Sequence, residues 1–179
     1  WQRTLEPVAA SASGASPVEL FPETLTLTLT KAQDLRYGEN PHQKAALYSR
    51  EAGLKWRQLH GKELSYNNLL DADAAWEAVS EFQDPAAVVV KHLSPCGAAM
   101  SRTPAEALAK AWACDPLSSF GGILALNRPL PMEAAAALSS RFLEVIIAPG
   151  FDDEALELLR KKPNLRLILR QDPPSHAPV

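Results

Sequence analysis

Residues 86–97 read AAVVVKHLSPCG, and the fold turns on this stretch. Ala86–His92 is a continuous apolar run that ends in charge, the pattern of a strand buried on both faces. Ser94-Pro95-Cys96-Gly97 then predicts an immediate turn. Lys91 and His92 are thereby delivered to the carboxyl end of a strand, where ligands sit in α/β sheets. Neighbouring strand residues face opposite ways, so both reach one site only where the strand is already breaking. Two adjacent cations repel, so Lys91 is expected to favour neutral imidazole in His92. A general base working near pH 7 needs that form. On these two residues alone, a solvated Lys-His at a strand end is the better reading. The burial pattern and the turn weigh towards a site without deciding it.

Downstream, Thr103-Pro104-Ala105-Glu106 is a capping box with proline at the first helical position. Gly122–Leu126, Val145–Ala148 and Leu165–Leu169 read as strands, and Pro131–Phe142 and Asp152–Lys161 as helices. This alternation predicts a layered α/β domain with at least partly parallel pairing. Upstream, Ala75, Val79 and Phe82 recur at helical spacing and predict a helix over Asp71–Phe82. A short strand is expected at Ala45–Ser49, followed by a polar Gly-Lys-Glu stretch. Leu25, Leu27 and Leu29 alternate with threonines, which predicts a half-buried strand over Thr24–Thr30. The first twenty residues, rich in Ser, Ala and Pro, read as a linker.

The chain of 179 residues suits one domain or a piece of a larger one. Its net charge of −3, with signs interspersed and no basic run, argues against a nucleic-acid-binding module. No apolar run approaches the roughly 20 residues that span a bilayer. Cys96 and Cys114 cannot build a disulfide framework and fit a reducing, cytoplasmic setting. The start at Trp1 and the tail QDPPSHAPV suggest a fragment whose domain continues.

Two further loops hold candidate chemistry. In RYGENPHQ, Arg36–Gln43, Arg36 offers a fork of donors suited to phosphate, Tyr37 a flat face or hydroxyl, and His42 a donor or acceptor. A plain loop with a surface arginine explains this motif at least as well. In DPLSSFGG, Asp115–Gly122, the serines and paired glycines could present backbone N–H groups to an anion. A tight approach to a strand accounts for it equally. Glu144 precedes the apolar run Val145-Ile146-Ile147, a position usually just solvated; His60 and His176 read as surface residues. Pro95-Cys96 resembles half of a zinc-deaminase motif, but Ala99 stands where the second cysteine belongs and no H-x-E element precedes it. Cys114 is too isolated to complete a zinc set, and Cys96 reads as an inert cysteine rather than a nucleophile.

Taken together, LRYGENPHQKAALY, GKELSYNNLLDADAAW, VVVKHLSPCGAAM, DPLSSFGGILALNR and EVIIAPGFDDEAL, in this order and spacing, resemble the bifunctional AICAR transformylase/IMP cyclohydrolase family. The resemblance runs from about Asp34 to Leu158 and falls on the first part of the transformylase domain. It implies a layered αβα fold of cytidine-deaminase-like type without the zinc site. Residues 1–30 would then be the connection from a cyclohydrolase domain plus a first strand, 31–170 the transformylase portion, and 171–179 a polar tail. The implied activity is formyl transfer from the co-substrate 10-formyltetrahydrofolate to the 5-amino group of AICAR, giving FAICAR, with no metal. The same resemblance implies His92 as proton acceptor and AICAR contact, and Lys91 as stabiliser of charge on the formyl oxygen. It further implies Arg36, Tyr37, Gly121 and Glu144 as AICAR contacts, with His42 in support. A homodimer with a site shared between subunits is implied as well, and the fragment alone is expected to be inactive. The alternative is a non-catalytic module that binds purine ribonucleotides.

Overall fold

The computed structural model describes residues 23–50 and 53–171. Among them the chain runs β1 (Thr30–Leu35), β2 (Ala45–Ser49), β3 (Trp56–His60), α1 (Tyr66–Ser80), β4 (Ala86–Lys91), β5 (Ser94–Met100) and α2 (Pro104–Cys114). It continues with α3 (Pro116–Ser119), β6 (Ile123–Leu126), α4 (Met132–Leu138), β7 (Val145–Ala148), α5 (Asp153–Arg160) and β8 (Arg166–Arg170). The expected linker over the first twenty residues, the tail beyond residue 171 and His176 lie outside the described residues.

The valine run forms the buried strand that its composition predicts. Ala86 through Val90 are at most 1% exposed, because helices cover both faces of the sheet. Alternate side chains divide between two cores. Val88 and Val90 join Ile123, Ala125, Val145, Ile147 and Ile168 beneath Ala72, Ala75, Trp76 and Val79 of α1. Ala87 and Val89 join Leu124, Leu126, Ile146, Ala148 and Leu167 on the other face, against α2, α4 and α5. The period-2 alternation of the strands therefore builds a three-layer α/β unit. Leu124 is fully buried in the second core. Leu124→Ala should cost about 2–5 kcal/mol of stability, read by chemical denaturation.

The sheet order is β3-β8-β7-β6-β4-β5. β6, β7 and β8 are parallel, while β4 runs antiparallel to β6 and β5 antiparallel to β4. The partly parallel pairing expected from the sequence holds for the centre, and the sheet as a whole is mixed. β1 and β2 form a separate antiparallel pair. No helix among the described residues is long and apolar enough to cross a membrane.

Several elements differ from their sequence reading. The strand expected at Thr24–Thr30 begins only at Thr30, and Leu25, Leu27 and Leu29 are 65%, 55% and 45% exposed. Among the described residues nothing covers their stripe, so alternation alone did not earn a strand. α1 begins five residues earlier than its apolar spacing suggested. Ser65 caps it, with Asn68 completing the reciprocal box in place of the usual Glu or Gln. The capping expected at Thr103 is present: its hydroxyl accepts from the Glu106 N–H, although the Glu106 carboxylate takes its bond from Ser101 Oγ.

The largest correction concerns Ser94-Pro95-Cys96-Gly97, which is not a turn but part of β5. Val89 pairs with Gly97 and Val90 with Pro95, so Cys96 is the extra residue of a bulge. Proline is tolerated because β5 is an edge strand. At Gly97 a Cβ would lie 2.0 Å from the Ala111 carbonyl oxygen, so α2 packs directly on the strand's backbone. The turn itself is His92-Leu93.

Candidate functional site

Register places the site. Val90, Ile123, Val145 and Arg166 form one row across β4, β6, β7 and β8. Because β4 is antiparallel to the other three, its carboxyl end meets their amino ends. Lys91, Gly121 and Glu144 therefore emerge along one edge of the sheet. The rule that ligands gather at the carboxyl ends of parallel strands suggested Lys91 and His92, yet this edge is the opposite one for β6, β7 and β8. The residues converge because β4 is reversed relative to its neighbours, not because they share the carboxyl ends of parallel strands.

Helix α1 ties the remaining pieces to this edge. At its start, the Tyr66 N–H donates to the Tyr37 carbonyl at 3.0 Å, and the Arg36 N–H donates to the Leu64 carbonyl at 2.9 Å. The RYGENPHQ loop is thus pinned to the helix N-terminus, and the Arg36 guanidinium lies 5.3 Å from the centre of the Tyr37 ring. Gly38 is buried against Gln43, and its N–H donates to the Gln43 carbonyl. Asn68, 6% exposed, donates from Nδ2 to Glu144 Oε2 at 2.9 Å. One turn later, Asp71 accepts from the N–H groups of His92 and Leu93 at 3.3 and 2.8 Å. Tyr66 and Asp71 are separated by about 7.5 Å of helix rise, so the arginine-tyrosine loop and the Lys91-His92 end share one neighbourhood.

The Lys91 ammonium donates to the Phe120 carbonyl at 3.0 Å. His92 and Leu93 form the two-residue loop of the β4–β5 hairpin, with φ of 53° and 63°. Left-handed conformations cost roughly 1–2 kcal/mol per non-glycine residue, and loops of this kind usually carry Asn-Gly. His92 is exposed. Gly121 takes φ 75°, and a Cβ there would press on the Phe142 ring at 3.4 Å.

Arg166 lies at the floor of the site. Its side chain is 7% exposed, its Nε donates to the Glu63 carbonyl, and its guanidinium stands 3.9 Å from the Glu144 carboxylate. Burial pushes Arg166 below its ordinary pKa; the Glu144 charge opposes that shift and the nearby Arg36 charge adds to it. Guanidinium nevertheless stays protonated in proteins, so Glu144 serves as its counter-charge. Glu144 itself is 46% exposed at the side chain, which leaves it open to a ligand while Asn68 and Arg166 hold it.

Other sequence candidates fare differently. The N–H groups of Ser118 through Gly122 are all donated internally, to Asp115, Leu117, Phe142 and Ser119, so DPLSSFGG does not offer an anion nest. Asp115 also accepts from the Ser118 hydroxyl, and these bonds hold its carboxyl below the usual range. His42 is exposed on its loop, and no hydrogen bond joins it to the others among the described residues. His60, read as a surface residue, is half-buried in β3 and bonded through Nε2 to the Lys162 carbonyl. Burial and the neighbouring Asp115 raise the Cys96 thiol, which argues against an activated nucleophile there. No cluster of three or more His, Cys, Asp or Glu side chains placed for a metal occurs among the described residues. Two surface concavities, one lined by Asp84, Ser101 and Glu106 and the other by Thr30, Ser49 and Trp56, lie away from this edge.

Asn68, Asp71 and Arg166 were not singled out by the sequence. The available signal was the i, i+3 spacing of Asn68 and Asp71 within NNLLD, which puts both on one face of a helix.

Comparison with known proteins agrees with the quoted blocks. The "Bifunctional purine biosynthesis protein PurH" of Elusimicrobium minutum is 53% identical over 157 residues, covering 88% of this chain and 30% of that protein. Those of Halalkalibacterium halodurans and Anoxybacillus flavithermus are 57% and 54% identical over 155 residues, each covering 84% of this chain and 30% of the relative. The chain thus spans about 30% of the length of the relatives it matches. Residues 6–178 match the family described as "AICARFT/IMPCHase bienzyme". With nearly the whole chain matched and more than half of the aligned residues identical, this protein belongs to the AICARFT/IMPCHase bienzyme family.

Proposed function

We propose that this chain carries the first part of a formyltransferase site in a bifunctional protein of purine biosynthesis. The observation that supports it most is the convergence on α1. One helix holds the Arg36-Tyr37 loop at its first turn, Glu144 through Asn68, and the His92 turn through Asp71. In this reading Arg36, Tyr37, Gly121 and Glu144 hold AICAR, with His42 in support, and 10-formyltetrahydrofolate supplies the formyl group. The 5-amino nitrogen attacks the formyl carbon, and the carbonyl electron pair moves to oxygen. His92 takes the proton from the amine while Lys91 stabilises the oxyanion. Collapse then breaks the bond to folate N10, which leaves with a proton, giving FAICAR and tetrahydrofolate. The conjugated amine is a poor nucleophile, so orientation, proton removal and oxyanion stabilisation are what the protein must provide.

The same reading places the chain in a cytoplasmic homodimer whose subunits share the site, with the parent protein also closing FAICAR to IMP. It assigns the three-layer fold to the cytidine-deaminase-like type, without metal. Separate titrations of AICAR and a folate analogue into the full-length protein test it. AICAR should bind, Arg36→Ala should weaken that binding about tenfold to 100-fold, and the folate analogue should change the AICAR affinity. Nucleotide binding with no folate effect would instead favour a non-catalytic purine-ribonucleotide-binding module.

A further inference from the structure

Asp71 has no part in the chemistry just described, yet it is the side chain that grips the catalytic turn. It is half-buried on α1, and its two carboxylate oxygens divide between two amides, Oδ2 accepting from His92 N–H and Oδ1 from Leu93 N–H. Both residues of that turn sit at positive φ, where a Cβ is disfavoured. His-Leu is a poor sequence for such a loop, and Leu93 is 55% exposed, so packing of its side chain does not hold the conformation. The β-ladder closes at Lys91 and Ser94 and leaves the two amides of the loop to another acceptor. A charged acceptor makes the stronger kind of hydrogen bond.

We propose that Asp71 is a positioning residue for His92: its carboxylate fixes the left-handed His92-Leu93 turn and so sets where the imidazole leaves the backbone. This assignment rests on His92 being the proton acceptor of the formyl transfer. Asn68, one turn earlier on α1, holds Glu144 at the same time. The helix is thus a rigid ruler between the group that would contact AICAR and the group that would deprotonate it. A displacement near 1 Å in such an arrangement is enough to cost about 100-fold in rate.

Steady-state kinetics of the full-length protein test the proposal with four variants: His92→Ala, Asp71→Ala, Asp71→Asn, and Asp71→Ala combined with Leu93→Gly. Asp71→Ala should lower kcat of formyl transfer by about 100-fold while KM for AICAR changes little, since the contacts that bind the nucleotide remain. Asp71→Asn keeps one acceptor oxygen and should fall between Asp71→Ala and the parent, which also reports on function if the alanine variant folds poorly. Glycine at position 93 takes positive φ without strain, so the double variant should recover most of the lost rate. Asp71→Ala turning over like the parent while His92→Ala is inactive would overturn the positioning role alone. Loss in Asp71→Ala that Leu93→Gly does not restore would also overturn it, because Asp71 would then act other than through the turn. Activity in His92→Ala would overturn the underlying reading of the site, and the proposal with it.

Discussion

On the proposed assignment, full-length protein carrying His92→Ala will lose formyl transfer by about 10²–10⁴-fold and will still close FAICAR to IMP at the parent rate. In the proposed reaction the imidazole is the group that takes the amine proton. The Lys91 ammonium donates to the Phe120 carbonyl and keeps further N–H groups for an oxyanion, while the Glu144 carboxylate is engaged by Asn68 and Arg166. Among the described residues His92 is held through its backbone N–H by Asp71, and no hydrogen bond engages its ring. Truncation at Cβ leaves the hairpin amides in place, and the turn should persist. Separate assays of the two reactions on one protein sample decide the matter. Equal loss of both activities would mean that the substitution had damaged the protein generally rather than removed a base.

Gly97→Ala should destabilise the fold by about 3 kcal/mol or more, the upper end of what overpacking costs. The added Cβ would stand 2.0 Å from the Ala111 carbonyl oxygen and 3.0 Å from its carbon. The obstacle is helix backbone, so it cannot swing aside as the end of a side chain could. α2 would have to retreat as a body, withdrawing Ala107, Leu108 and Ala111, all fully buried, from the core beneath them. For a domain of this size each kcal/mol moves the midpoint by roughly 2–4 °C, so scanning calorimetry should show a fall of about 6–12 °C. An unchanged midpoint would mean that α2 does not lie against β5 as described. Ala99→Gly, two residues along the same strand and on the same face, is the control and should cost far less.

The two substitutions also mark what the sequence could and could not disclose. The second half of the chain was legible because its strands are short apolar runs separated by helices of clear spacing, and β6, β7, α4, α5 and β8 fall close to where those signals put them. β3 was missed because Trp56-Arg-Gln-Leu-His60 is an outer strand of mixed polarity without a clean period. The start of α1 was missed because Tyr66, Asn67 and Asn68 are poor helix formers, and only the Ser65 cap makes them one. Pro95 and Gly97 read as a turn because those residues usually punctuate. Here one sits on a free strand edge and the other under a helix, facts that belong to tertiary structure.

The candidate site was legible only in pieces. Arg36, Tyr37, Lys91, His92, Gly121 and Glu144 come from four separate stretches, and the resemblance to a family named them where the residues alone left each one ambiguous. The structure brings the arginine-tyrosine loop, Glu144 and the Lys91-His92 end together around α1. What joins them was out of reach, since it depends on β4 running antiparallel to β6. Only that reversal sets a carboxyl end beside three amino ends, and only then do Asn68, Asp71 and Arg166 face the residues they hold. His42 stands apart on its loop, and the backbone N–H groups of DPLSSFGG are used by its own bonds, which favours the tight strand entry over the anion nest that the motif left open.

A structure of the full-length protein with AICAR bound is the most direct measurement. The account predicts the nucleotide across the amino ends of β6 and β7, with the 5-amino nitrogen about 3 Å from a ring nitrogen of His92. Glu144 and the Arg36-Tyr37 loop, from the same or a partner subunit, should contact the same molecule. AICAR seated elsewhere, with His92 and Glu144 both out of reach of it, would contradict the assignment.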